Sequence, residues 1–159
     1  MPNQIKVHTS STGEQFASKT IEIDAPTVKV WNVLTNPEWM KKWMAEPETE
    51  INILTDWTVG NPIVMYGKLH SRIKFENKGR VLQFEREKIL QYSHLSSLSR
   101  LPDEPNNYSI IGFQLAPIDN RTNLTLTLSN FPTEAIFKHL VFYWNVTLEI
   151  LKRKIEEQE

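Results

Sequence analysis

From Pro132 to Glu157 hydrophobic residues return every three or four positions, at Ile136, Leu140, Trp144, Leu148, Leu151 and Ile155, which predicts a long helix with one buried face. Phe137, Val141 and Phe142 widen that stripe over the first turns beyond what one packed face requires. Thr133 suits the N-cap and Glu134 the positive end of the helix dipole, while Lys152, Arg153 and Lys154 suit the other end. The rest of the chain has a different rhythm. Residues 1–14 are polar and predict a mobile arm or an edge strand. In FASKTIEID (residues 16–24) Ile21 and Ile23 alternate with Thr20, Glu22 and Asp24, as in a half-buried strand.

Asp24-Ala25-Pro26 then turns the chain into a short helix with Val30, Trp31, Val33 and Leu34 on its apolar side. Asn36-Pro37 ends it, because proline disfavours helical geometry in the residue before it, and a second short helix carries Trp39, Met40, Trp43 and Met44. Helices this short are not stable alone in water, so they must lean on a sheet.

Beyond Pro47 the period becomes two. Strands are predicted at 50–54, at 62–69 after the turn 57–61, over a long run 72–86, through Leu90, Tyr92 and His94, and at 107–117 and 123–130. In the long run Ile73 and Phe75 have one parity and Leu82 and Phe84 the other, so a hairpin or bulge is expected around Asn77-Lys78-Gly79. The segment 96–107, with two prolines and several turn formers, reads as a long loop in a position to act as a lid.

Composition removes several function classes. At 159 residues the chain predicts one domain, residues 15–159 behind the arm. The absence of cysteine excludes disulfides, thiolate catalysis and cysteine-rich zinc sites, and suits a reducing compartment. Eighteen Lys and Arg against nineteen Asp and Glu leave no field to attract nucleic acid or an anionic membrane. No signal-peptide core and no long apolar run is present, so a cytoplasmic protein without membrane insertion is expected. His8, His70, His94 and His139 lack metal-ligand spacing, and five scattered glycines make no phosphate loop; no metal and no cofactor is expected.

Particular stretches resemble a known family. IEIDAPTVKVWNVLTNPEWMKKWM resembles the opening of the helix-grip, or START-like, domains: a strand ending in Ala-Pro, a helix with a Val-Trp pair, and a following helix carried by Asn36-Pro37-Glu38, Met40 and Trp43. Val59-Gly60 stands where relatives have a Val-Gly-Gly turn, and GRVLQFEREKILQYS resembles their hairpin through Gly79, Val81, Glu87, Leu90 and Tyr92. FYWNVTLEILKRKIE resembles their closing helix through Trp144, Leu148, Leu151, Lys152 and Glu156. Together they are similar to the branch named for the activator of Hsp90 ATPase homologues, in single-domain form. The sequence departs from the pattern at Asn61, at Glu87-Lys88, where a proline is usual, and at Tyr143-Trp144 in place of Gly-Trp.

The resemblance implies an α+β helix-grip fold, with a curved antiparallel sheet of about six or seven strands wrapped around the long C-terminal helix and two short helices after the first strand. It also implies a cavity between sheet and helix. Residues expected to line it are Trp31, Trp43, Met65, Phe84, Tyr92, His94, Tyr108, Phe113, Phe137, Val141 and Trp144, a mixture suited to a flat or elongated apolar ligand. The same side chains would serve equally well to fill a core. Three functions follow: binding of a small hydrophobic or aromatic molecule, action on an Hsp90-type chaperone, or polyketide cyclase or aromatase-like chemistry with His94, Tyr92 or Glu85 as acid-base groups. No catalytic residue is singled out, and the oligomeric state is not legible.

Overall fold

Alternating hydrophobic residues pair into one antiparallel sheet of eight strands, seen in a computed structural model that describes residues 4–46 and 49–157. The chain runs β1 (Lys6–Thr9), β2 (Gln15–Ile23), α1 (Thr27–Thr35), α2 (Pro37–Trp43), β3 (Glu50–Leu54), β4 (Pro62–Leu69), β5 (Ile73–Glu85), β6 (Ile89–Ser96), β7 (Ser109–Ile118), β8 (Arg121–Ser129) and α3 (Glu134–Glu156). Across the sheet the order is β1-β2-β8-β7-β6-β5-β4-β3, so the first half of the chain supplies both edges and the later hairpins the middle. The strand beyond the six or seven expected is β1, an edge strand pairing Lys6 with Ser18 and Thr9 with Gln15.

Register decides which residues meet the helix. Leu90 stands opposite Phe113, Phe113 opposite Leu126, and Leu126 opposite Lys19; one row along, Tyr92, Ile111, Leu128 and Ala17 align in the same way. These rows form the inner face, on which α3 lies. Its Leu148, Leu151 and Ile155 are fully buried, each such side chain contributing about 1.5–3 kcal/mol of gross apolar burial. Polar contacts fix the helix lengthwise: Lys152 Nζ donates to the Glu22 carbonyl at 2.9 Å and the Asp24 amide donates to Glu156 at 2.8 Å. At its start Thr133 Oγ1 accepts from the Ile136 amide at 3.1 Å, an N-cap satisfying a donor the helix itself cannot. The two short helices close one end of the grip, α2 capped by Asn36, whose side chain accepts from the Glu38 amide at 3.0 Å.

The parity change in β5 is not where the turn-like residues Asn77-Lys78-Gly79 suggest. The strand is continuous from Ile73 to Glu85, and the register shifts between Val81 and Gln83. Phe75, Gly79 and Val81 are therefore inward, Phe84 is half-buried, and Ile73 and Leu82 stay 51% and 37% exposed. A bulge fits there because it needs one extra residue on one strand rather than a chain reversal.

Gly79 has a different role. A Cβ at this position would lie 1.7 Å from the Ser93 carbonyl oxygen, and one at Gly67 in β4 would lie 1.8 Å from that of Glu50. At both places the neighbouring strand presses its backbone into the space a side chain would occupy, which lets β4 and β5 bend around the helix. The 96–107 loop, expected as a lid, is fastened to the other side of this bend. Asp103 pairs with Lys78 at 2.7 Å, and Lys78 stands beside Val64 and Leu95 on the face away from α3. We expect Gly79→Ala to destabilise the protein by about 2–3 kcal/mol, seen as a lower urea midpoint with an unchanged slope.

Candidate functional site

Between α3 and the inner face, aromatic side chains gather in three groups. At the α1 end Trp57 stacks on Phe84, with ring centroids 5.4 Å apart, while Trp31 tilts against Phe84 at 5.2 Å and Tyr92 lies 6.4 Å from Trp57. In the centre Trp144 meets Phe113 at 5.5 Å, Tyr143 at 5.1 Å and Trp43 at 6.2 Å. Near the start of α3 Phe137 packs edge-on against Phe131 at 4.9 Å, and His139 stacks with Tyr143 at 6.4 Å.

The eleven residues expected at a cavity divide accordingly. Trp31, Trp43, Met65, Tyr92, Phe113 and Trp144 are buried, closed in by other side chains. Phe84, His94, Phe137 and Val141 are only half-buried. Tyr108 stands apart from them, its hydroxyl donating to Asp103 at 2.6 Å beside Lys78 on the outer face. Glu85 is also outside the gap, an exposed carboxylate 3.8 Å from Lys88.

Burial follows a gradient along α3. On its inward stripe Leu140, Trp144, Thr147, Leu148, Leu151 and Ile155 are buried, whereas Ile136, Phe137, Val141 and Tyr143 in the first turns are half-buried, and Phe142 and Val146 on the outer side are 72% and 48% exposed. Two pairs of ring side chains lie near one another here, one on β6 and one on α3, with His139 exposed to solvent. On β6 His94 and Tyr92 share the inner parity; on α3 His139 and Tyr143 lie one turn apart. The pairs are close enough to interact electrically, His94 with His139 and Tyr92 with Tyr143. Burial, then the charge His139 can carry, pulls the His94 imidazole down to about 4, so it is neutral near pH 7. Burial pushes the Tyr143 hydroxyl up to about 12 and, with the nearby Tyr143, raises Tyr92 as well.

The polar atoms of the gap are satisfied unequally. Trp43 Nε1 donates to the Val33 carbonyl and Trp57 Nε1 to the Thr35 carbonyl, each at 2.8 Å, and the Tyr143 hydroxyl donates to the Met44 carbonyl. Trp144 Nε1 is buried with no partner among the described residues.

Two residues of this region escape a reading of the sequence. Trp57 sits in a turn with φ of 56°, a conformation costly for a bulky side chain, held by its indole hydrogen bond and by its amide donating to Thr55 Oγ1 at 2.9 Å. A lone tryptophan among turn residues was the available signal. Lys19 shares the inward parity of Ile21 and Ile23, with its side chain 2% exposed and its Nζ 3.6 Å from Glu149 on α3. A lysine in a strand is ordinarily assigned outward, and only the register reveals it.

A curved sheet gripping one long helix, behind two short helices, is shared with a family whose model matches residues 24–156, described as Activator of Hsp90 ATPase homolog 1-like protein. The chain belongs to this family. A solution structure of ChR145 from Cytophaga hutchinsonii is 38% identical, covers 89% of this chain and 93% of its own, and superposes with a TM-score of 0.73. CV1439 from Chromobacterium violaceum shares the fold at 20% identity, with a TM-score of 0.76 over 90% of this chain and 98% of its own. A protein from Arthrobacter aurescens does so at 18% identity, with a TM-score of 0.77 over 96% and 92%. No curated protein matches the chain. This member of the Hsp90-activator-like family thus has the START-like helix-grip fold. Among the described residues no helix is long and apolar enough to cross a membrane.

The neutral His94 carries a pH signature. Its folded pKa lies below the ordinary value of 6.5, so the unfolded chain binds its proton first and stability is lost as pH falls from about 6.5 through about 4. The full loss is on the order of 3 kcal/mol. The His94 ring resonances should titrate near 4 by NMR, and His94→Gln should flatten the stability profile across that window. A titration near 6.5 would show an open, solvated ring instead.

Proposed function

We propose that this protein binds a small hydrophobic molecule, flat or elongated, between the sheet and the first half of α3. The observation that carries this reading is the burial gradient along the helix. The same apolar stripe that is sealed from Leu148 onward stays half-open at Ile136, Phe137 and Val141, opposite the inner face of the sheet. A helix needed only as a core element would bury its greasiest turns first, because each apolar side chain left in water forgoes about 1.5–3 kcal/mol. A separate open groove of about 470 Å³ lies against Glu50, Tyr66, Lys68, Lys74, Phe75 and Glu76, away from these turns of α3.

A molecule entering beside Phe137 and Val141 would meet rings on every side: Phe131 at the entrance, then Tyr143, and Trp144 and Phe113 behind. Binding would raise the melting temperature in proportion to the logarithm of ligand concentration. In a thermal-shift panel of apolar aromatic and lipid-like compounds, saturating amounts of a fitting one should stabilise the protein by about 2–3 kcal/mol. Phe137→Ala should weaken that binding roughly tenfold while costing the free protein only about 1 kcal/mol, since the ring is already half in solvent. If a broad panel leaves the melting temperature unmoved, the open turns serve another purpose and the reading fails.

The family description together with the outer face of α3 supports a second reading, docking on an Hsp90-type ATPase. Phe142 at 72% exposure and Val146, one turn further at 48%, form a solvent-facing apolar pair. Under that reading Phe142→Asp abolishes stimulation of the host chaperone's ATPase, whereas under the ligand reading it leaves small-molecule affinity unchanged.

A further inference from the structure

We infer that the molecule held in this gap presents an uncharged hydrogen-bond acceptor, a carbonyl or comparable oxygen, to the indole N–H of Trp144, with the Tyr92 hydroxyl as a second donor. The inference rests on the binding reading above and adds to it the chemistry of the ligand's inner end.

Trp144 is 1% exposed and its Nε1 has no partner among the described residues. An indole nitrogen can only donate, and a donor removed from water without an acceptor is a standing penalty that folds ordinarily avoid. This fold avoids it at both neighbouring tryptophans, where Trp43 and Trp57 donate to carbonyls of α1. The rings packed on Trp144 are no substitute. Phe113 and Trp43 have no acceptor oxygen, and the Tyr143 hydroxyl, which donates to the Met44 carbonyl, does not accept from the Trp144 indole. Tyr92 is buried on the inner face within electrostatic reach of Tyr143, whose ring packs on Trp144 at 5.1 Å.

The charge of the acceptor follows from the other groups on these walls. Lys19, the cation on the inner face, is matched by Glu149. His94 is held neutral by burial, and protonated Tyr92 offers a dipole rather than a charge. A carboxylate entering here would lose its hydration and meet no uncommitted cation, a loss that neutral donors do not recover. A ketone or amide oxygen gives up much less and finds two donors. The apolar remainder of such a molecule would lie outward, against Val141, Phe137 and Phe131, where no donor is required.

Benzophenone, diphenylmethane and diphenylacetate test this with one shape and three kinds of inner end. Their affinities are measured by titration, and the indole region of a ¹H–¹⁵N spectrum follows the five tryptophans, with Trp144 assigned by the loss of its signal in Trp144→Phe. Benzophenone should bind at least tenfold more tightly than either of the others and move the Trp144 Nε1–H resonance downfield. Tyr92→Phe, which removes one oxygen and little volume, should weaken benzophenone several-fold and leave diphenylmethane unchanged. If benzophenone and diphenylmethane bind equally and the Trp144 signal stays in place, the gap binds apolar molecules without reading an acceptor, and the inference is overturned while the binding reading stands. Preference for diphenylacetate overturns the claim of an uncharged acceptor. Absence of binding by all three overturns both.

Discussion

Everything in this molecule depends on seating one apolar helix face in the concavity of one sheet. Neither surface is viable alone: the sheet's inner rows and the stripe of α3 are both too hydrophobic for water, and each buries the other. The polar contacts that accompany the union, such as Lys152 to the Glu22 carbonyl and the Asp24 amide to Glu156, sit at the sealed end. They fix how far along the sheet the helix lies. Because the closed end is so well held, the other end can remain incompletely packed without endangering the fold.

That division gives the structure a tightly closed half and a less tightly packed half built from one continuous element. At the sealed end the buried residues of α3 are aliphatic; towards its start the contacts are aromatic, with Phe137 packed on Phe131 and Trp144 on Phe113 and Tyr143. Aromatic rings suit such a place, since they expose large apolar faces at little cost in conformational freedom and carry donors or acceptors at their rims. Membership of the Hsp90-activator-like family is consistent with this plan but does not by itself name what enters.

Most of the architecture was legible from residue order. The helix stripe from Ile136 to Ile155, the alternation in β2 and β8, and the Asn36-Pro37 break each carry a local signal strong enough to survive tertiary context. What escaped depends on register, which no single segment encodes. The parity change in β5 follows from pairing with β6, so it occurs at Val81–Gln83 rather than at the turn-like triplet nearby. Lys19 is inward because its strand neighbour Leu126 is inward, despite its charge. Tyr108 stands outside because the 96–107 loop is tied to Lys78, a long-range ion pair invisible in the local pattern. The clustering of rings against α3 was foreseeable only as a surplus of aromatics; the unpartnered Trp144 N–H depends on which carbonyls its neighbours have already taken.

Gly67 and Gly79 give the bend of the sheet an origin in the backbone. At these two points the approach of strand to strand is set by backbone and not by the side chains that project into the concavity. Replacing Phe, Tyr, His or Val on the inner wall changes the lining while the frame keeps its span. Such a separation of frame from lining lets one fold carry different linings. In this chain Gly67 and Gly79 thus hold part of the frame without drawing on any side chain of the lining.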